Sequence, residues 1–370
     1  MPKAQETILE IDLKALKHNF EYLKSKLNSG TKFLAVVKAF AYGNDADEIA
    51  KCLQDLDIDY FAVAYAAEGA ALRNAGVTKP ILVLHTLAKN FDVIIENCLE
   101  PNLYNAKILN EFIAFVSEQK QTDYPIHIKF NTGLNRLGFW ENDVDYILDK
   151  LYASKSVKVK SLFSHLAASE DLNERDFTLR QIESFKAITK EFIEKIGYQP
   201  ILHMSNTSGI LNYPEAHFDM VRSGIGLYGF GNSEEESKHL KPIASLKTVI
   251  SQIHHIEKGE SVGYNRAYKS DTLFTKTATL PLGHADGIGR IYGKEKGYVT
   301  IHGKKAPIIG NVCMDMIMVN ITDIDCKEGD EVIVFDGTTT SAETLAESVG
   351  TISYELITGI SQRVKRTMLK

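Results

Sequence analysis

Between Phe33 and about Phe230 the chain alternates short, near-continuous apolar runs with amphipathic stretches. The apolar runs read FLAVVKA, YFAVAY, PILVLH, PNLYN, YPIHIKF, VKVKSLFSHL, QPILHMSN and MVRSGIGLYG. Between them lie helix-like segments such as ADEIAKCLQDL, EGAALRNAG, AKILNEFIAFVSEQ and RDFTLRQIESFKAITKEFIEKIG. Strands that are apolar on both faces belong in a parallel sheet covered by helices. Eight such units in roughly 200 residues have the size of a (β/α)8 TIM-like barrel. A doubly wound sheet shares the alternation, but no GxGxxG follows the first strand here, which lowers that option.

After NSEEESKHLKP the pattern changes. LFTKTATLPLG, GYVTIHGKKAPIIG, MIMVNITDI and DEVIVFDG are short, rich in Val, Ile and Thr, often alternating, and divided by Gly and Asp turns. That is an all-β pattern, with one helix expected at SAETLAESVG. A boundary near Leu240 separates an α/β barrel, residues 1–240, from a mostly β C-terminal domain, residues 241–370. The opening segment ETILEIDL alternates as well, which makes it a candidate to pair with the β domain instead of the barrel.

Composition narrows the function. A chain of 370 residues exceeds most single cores. Lys and Arg number 42 against 48 Asp and Glu, a net charge of −6, so no broad cationic surface is expected for nucleic acid and no polybasic run for a membrane. Cys52, Cys98, Cys313 and Cys326 show no CxxC spacing and read as free thiols in a reducing compartment. No apolar run reaches membrane-spanning length and MPKAQETILE is no signal peptide, so the cytoplasm is expected.

In a barrel of this kind, chemistry gathers where strands end and the following loops begin. Those positions hold Lys38 after the first strand, Asn131 to Arg136 after the fifth, His165 after the sixth, Asn206 and Thr207 after the seventh, and Arg222, Gly224 and Ile225 at the eighth. No close His/Asp/Glu set appears, so no metal is expected. A lysine buried at a strand end can have a lowered pKa and act as an amine nucleophile. With carbonyl cofactors such an amine forms a Schiff base, pyridoxal phosphate being the commonest partner. The plainer alternative is a lysine that snorkels to the rim. RSGIGLYG suits a phosphate loop after the eighth strand, or a tight turn closing the barrel. Arg136 and Arg222 could each be surface ion pairs, and His165 a satisfied buried histidine. In the β domain, SVGYNRAY and GNVCMDM interrupt the strand pattern with polar residues. Tyr264 could be a core tyrosine, and Cys313 a plain thiol with no charge set to activate it.

AVVKAFAYGND, IKFNTGLNRLG, FSHLA, HMSNTSG, MVRSGIGLYG, SVGYN, LPLGHADGI, NVCMDM and TISYELIT follow one another along nearly the whole chain. In that order they resemble the alanine racemase family of fold-type III pyridoxal phosphate enzymes. The resemblance implies that Lys38 would carry the cofactor covalently and act as one base. Arg222 would face the ring nitrogen. Arg136 would meet the ring's phenolic oxygen and the substrate, oriented by Lys129, a candidate for carbamylation. His165 would support the ring and Arg222. Tyr42, Thr207, Gly224, Ile225 and Tyr354 would hold the phosphate, with Asn206 among the cofactor-binding residues. Met314 would meet the substrate carboxylate through its backbone, with Cys313 and Asp315 shaping the approach. Tyr264 would be the second base, reaching the site from the partner in a head-to-tail homodimer.

The implied activity is interconversion of L- and D-alanine, supplying D-alanine for peptidoglycan. Arginine at the ring nitrogen would not yield its proton, which favours returning the α-proton over other outcomes. Related decarboxylases share barrel and cofactor but typically place an acid there. A racemase of broader specificity is the nearest alternative. A non-catalytic pyridoxal phosphate-binding protein is a more distant one, since such proteins resemble the barrel alone. Three positions depart from the common family pattern: His284 in place of tyrosine, Thr207 in place of serine, and Asn131 in place of aspartate.

Overall fold

The computed structural model describes residues 4–370, with side chains from residue 6 onward. It opens with β1 (Ala4–Asp12), whose last residue caps the helix Leu13–Lys24 by accepting the N–H groups of Lys14 and Ala15. Eight strands then form a closed parallel barrel: β2 (Lys32–Val36), β3 (Tyr60–Val63), β4 (Ile81–Val83), β5 (Glu100–Leu103), β6 (Tyr124–Lys129), β7 (Val157–Phe163), β8 (Ile201–His203) and β9 (Met220–Ser223). The ring closes where β2 pairs with β9. Each strand coincides with one of the apolar runs, β2 and β5 starting one residue earlier, at Lys32 and Glu100. Most are buried on both faces by helices outside and side chains inside, so their sequences do not alternate.

The barrel interior is not uniformly apolar. Leu34, Ala62, Leu82 and Met220 pack together on one side. Glu100, His127, Ser161 and His203 are buried polar residues on strands elsewhere in the ring. A barrel of this type is ordinarily filled by branched aliphatic layers.

The C-terminal part contains β10 (Ala244–Val249), β11 (Gln252–Glu257), β12 (Ser261–Val262), β13 (Tyr268–Lys269), β14 (Phe274–Leu280), β15 (Tyr298–Ile301), β16 (Lys304–Ile309), β17 (Ile317–Asn320), β18 (Glu331–Phe335) and β19 (Val364–Leu369). A nine-stranded sheet runs β11-β14-β17-β16-β15-β18-β10-β1-β19. The opening strand therefore sits in this sheet, antiparallel to β10 and parallel to β19. The expected helix covers Ala342–Glu347, capped by Ser341, and a second, Ser353–Thr358, follows it. The molecule is thus a parallel (β/α)8 barrel followed by a mostly β C-terminal domain. Among the described residues no helix is long and apolar enough to cross a membrane.

Candidate active site

The run FLAVVKA suggested that the first barrel strand ends at Lys38. The structure ends it at Val36 and starts a turn of opposite hand at Lys38. Ala39, Phe40, Ala41 and Tyr42 have φ of 52°, 56°, 51° and 55°. Left-handed backbone costs roughly 1–2 kcal/mol per non-glycine residue, so the turn must be held from outside. Glu68 does this on one side: Oε1 accepts the Ala39 N–H at 2.7 Å, and Oε2 accepts those of Ala64 and Tyr65 at 2.7 and 3.0 Å. Arg366 of β19 holds the other side, donating to the carbonyls of Gly43 and Asn44 at 2.7 and 3.0 Å. Gly43 itself is required, because a Cβ there would lie 2.0 Å from the Ile357 oxygen. The turn brings Lys38 and Tyr42 to one cavity.

That cavity, about 610 Å³, lies at the strand-end mouth of the barrel. Lys38, Lys129, Arg136 and Arg222 line it, and among the described residues no aspartate or glutamate does. Burial and then Arg136 lower the pKa of Lys38, against a smaller opposing pull from Glu68. Lys129 ends β6 and is 7% exposed. Burial, then Arg136, Arg222 and Lys38, bring its amine down to about 7.

Arg222 is the most firmly held of the four. Its Nη1 donates to Nδ1 of His203 at 2.7 Å. Its Nη2 donates to the carbonyls of Ser164 and Met204 at 2.8 and 3.0 Å and to Nδ1 of His165 at 3.0 Å. Nε has no acceptor among the described residues. Burial, followed by Arg136, lowers the guanidinium only to about 9. His165 and His203 are held neutral by burial and then by Arg222.

Tyr42, Thr207, Gly224, Ile225 and Tyr354 meet at another part of the cavity wall. A Cβ on Gly226 would lie 2.6 Å from Cγ2 of Thr207, so this turn needs glycine for close approach. The Tyr42 ring stacks on Tyr228 at 4.6 Å and tilts against Tyr354 at 5.9 Å. Tyr42 as a residue is 8% exposed and lines the cavity, and its hydroxyl makes no hydrogen bond to the described residues. Tyr354 arrives on the Ser353–Thr358 helix and donates to Asn232 at 3.2 Å. Asn206 lines the cavity, but its Oδ1 is committed to the Gly209 N–H and the Ser169 hydroxyl, both at 2.8 Å. Asn131 likewise builds the loop that carries Arg136, donating to Asn135 and accepting the N–H groups of Gly133 and Asn135.

Sequence reasoning missed several contributors. Asn232 lines the cavity from a segment that reads as linker, and buried Glu236 beside it accepts from Ser208 and Asn212. His203, though quoted within HMSN, was not singled out as a partner of Arg222. Glu68 carried no signal beyond its place in an amphipathic helix.

Tyr264 is not at this cavity within the chain. It is 74% exposed and lines a separate cleft with Cys313, Met314 and Asp315. That cleft is held firmly. The His284 and Ala285 N–H groups donate to the carbonyls of Cys313 and Met314, both at 3.0 Å. A Cβ on Gly283 would sit 2.4 Å from both oxygens. Arg363 ties Asp286 to Asp315, with contacts of 2.7 Å to each.

Three basic groups around an uncommitted amine, with no described carboxylate lining the cavity, call for a ligand that carries its own negative charge and offers the amine something to bond. Pyridoxal phosphate answers both needs, its phosphate suited to the unpartnered hydroxyl and tight glycine turn, its aldehyde to Lys38. On this barrel-and-sheet frame, the class is that of the fold-type III pyridoxal phosphate enzymes. Residues 11–231 match the N-terminal domain of alanine racemase and residues 243–368 match its C-terminal domain. A relative, the alanine racemase of Thermodesulfovibrio yellowstonii, is 36% identical over 369 residues that span 96% of each chain. The solved alanine racemase of Clostridium difficile 630 superimposes with a TM-score of 0.92 at 34% identity, covering 99% of this chain and 96% of its own. That of Bartonella henselae, solved with covalently bound pyridoxal phosphate, gives 0.88 at 27%, covering 99% and 100%. The chain belongs to the alanine racemase family.

Proposed function

We propose that this protein interconverts L- and D-alanine with pyridoxal phosphate, moving the α-proton between bases on opposite faces of the amino acid, and supplies D-alanine for peptidoglycan in the cytoplasm. The observation that carries this reading is the convergence of Lys38, Lys129, Arg136 and Arg222 on one cavity lined by no described carboxylate. When bound, the cofactor would supply the electron sink that makes the α-hydrogen removable.

Lys38 would bond the cofactor and, once displaced, serve as one base; its lowered pKa favours the neutral amine that both tasks need. Tyr42, Thr207, Tyr354 and the backbone at Gly224 and Ile225 would hold the phosphate, on a loop that Asn206 builds. Arg222 would present Nε to the ring nitrogen while His165 supports ring and guanidinium together. A guanidinium keeps its proton, which restrains the sink and favours returning the α-proton over losing the carboxylate. Arg136 would meet the phenolic oxygen and the substrate carboxylate. Lys129, neutral in part near pH 7, would accept carbon dioxide as a carbamate and so turn a cation into an acceptor for Arg136. Met314 would offer its backbone N–H to the substrate, with Cys313 and Asp315 shaping the approach.

Tyr264 would be the second base. Because it lies away from Lys38 within one chain, it would reach the cavity from a second copy, in a head-to-tail homodimer with composite sites. Residues 1–240, apart from the opening strand that joins the C-terminal sheet, would then be the cofactor-binding unit and residues 241–370 the unit that supplies Tyr264. The test is an absorbance spectrum with and without borohydride, followed by circular dichroism of L-alanine. A reducible band that fixes the cofactor on Lys38, and an L-alanine signal that decays to zero, are expected. No band, or a persistent alanine signal, refutes the reading.

A further inference from the structure

A line of buried polar groups runs from Arg222 through the barrel interior to Glu100, at the opposite end of the strands. Nη1 of Arg222 lies 2.7 Å from Nδ1 of His203, and Nε2 of His203 lies 2.9 Å from Oγ of Ser161. The same Oγ lies 2.5 Å from Nδ1 of His127, and Nε2 of His127 lies 2.7 Å from Oε2 of Glu100. His203, Ser161 and His127 are 0% exposed, and Glu100 is 8% exposed. Glu100 opens β5 while Arg222 is near the end of β9, so the line spans the height of the barrel.

Its proton order follows from its ends. A guanidinium only donates, so Nδ1 of His203 accepts. Burial and Arg222 keep that ring neutral, which puts its single proton on Nε2, donating to Ser161. The Ser161 proton then has Nδ1 of His127 as its acceptor, and the His127 proton on Nε2 points to Glu100. A carboxylate only accepts, so the far end agrees. No other arrangement of neutral rings satisfies all four bonds. The hydroxyl of Tyr60 beside Glu100 is kept protonated by burial and by the Glu100 charge.

We propose that Glu100 is a positioning residue for Arg222: through Ser161 and both histidines it locks His203 as an acceptor and holds the guanidinium fixed and charged opposite the cofactor ring. This rests on the reading of Arg222 as the partner of the ring nitrogen. No described carboxylate lines the cavity, so the line connects Arg222 to a counter-charge the cavity itself lacks. A buried polar line is favourable only when every member is satisfied, so cutting it anywhere should be felt at Arg222.

The experiment has two parts. In the holoenzyme labelled with 15N in its imidazoles, NMR should show His127 and His203 both neutral with the proton on Nε2. A proton on Nδ1 of either ring, or a cationic His127, overturns the proposal without any variant being made. Then kcat and KM are compared for the native chain, Glu100→Gln, Ser161→Ala and the double variant. Each single change should lower kcat about tenfold with the alanine KM nearly constant, and the double should be no worse than the worse single, because one removes the charge at the end of the line and the other breaks the same line in the middle. Losses that multiply, or a lowered Tm with kcat per folded molecule unchanged, overturn it. Failure of the native chain to bind cofactor would sink the functional reading and the role given to Glu100 with it, whereas a wrong proton order in cofactor-loaded protein sinks this proposal alone.

Discussion

The hydroxyl of Tyr42 stands against Gly224, so close that a Cβ on the glycine would lie 2.3 Å from the phenolic oxygen. One residue belongs to the left-handed turn after β2, the other to the loop after β9, and these two strands close the barrel. The contact therefore joins the segment that carries the amine to the segment proposed to hold the phosphate. Tyr228 strengthens the joint by stacking on Tyr42 and donating to the Val36 carbonyl at 2.9 Å.

Gly224→Ala should push the phenol aside. Tyr42 is packed between Tyr228 and Tyr354, so it cannot yield freely, and overpacking of this kind costs about 1–3 kcal/mol. The expected result is a cofactor Kd weakened roughly tenfold or more, read by fluorescence titration, with the fold retained by far-ultraviolet circular dichroism. An unchanged Kd would show that this turn does not hold the phosphate.

Glu68→Ala should release the left-handed turn. It removes the acceptor of three backbone N–H groups, and hydrogen bonds to a charged group contribute about 1.5–3 kcal/mol each when deletion leaves the partner unmet. Water replaces part of this, so a stability loss of about 2–3 kcal/mol by urea unfolding is expected. Activity should fall further than stability explains, because Lys38 is the first residue of the turn. Equal activity per folded molecule would mean that Glu68 does not position the amine.

The eight barrel strands were legible because parallel strands buried on both faces leave continuous apolar runs. The strands β10, β11 and β19 were not, since ASLKTV, QIHHIE and VKRTML are short and carry charges that face solvent or pair across the sheet. Lys38, His165, Thr207 and Arg222 could be found from strand ends alone. The hand of the Lys38 turn could not: KAFAY contains no glycine, and its conformation is imposed by Glu68 and Arg366, distant in sequence. The Glu100 line was also invisible, because each member stands singly on a different strand and only barrel closure puts them in register.

Lys129 gives stability a specific pH dependence. Its amine titrates near 7 in the folded chain against about 10.4 unfolded. Between those values the unfolded chain binds the extra proton, so stability rises with pH across that window. Below about pH 7 the cost of burying the charge is fully present. Lys129→Met should therefore stabilise protein free of cofactor and bicarbonate at pH 7 by about 1–4 kcal/mol, with the gain shrinking by pH 9.5. Urea midpoints at both pH values check this, and a gain independent of pH would show that the amine is not depressed.

Tyr264 and Lys38 line different clefts of the same chain, which permits a strict test of composite sites. Lys38→Ala removes the amine, and Tyr264→Phe removes the phenolic hydroxyl from an exposed ring, so neither should unfold the chain. Each pure variant should lose nearly all racemisation, the second while keeping its cofactor band. If the site draws Lys38 from one chain and Tyr264 from its neighbour, a mixed dimer contains one site with both residues intact and one with neither. Random reassortment makes half the dimers mixed, so equal amounts unfolded and refolded together should recover about a quarter of native activity. Simple mixing without dissociation should recover much less. If both bases came from the same chain, every site in the reassorted sample would still lack one of them, and activity would stay at the level of the pure variants.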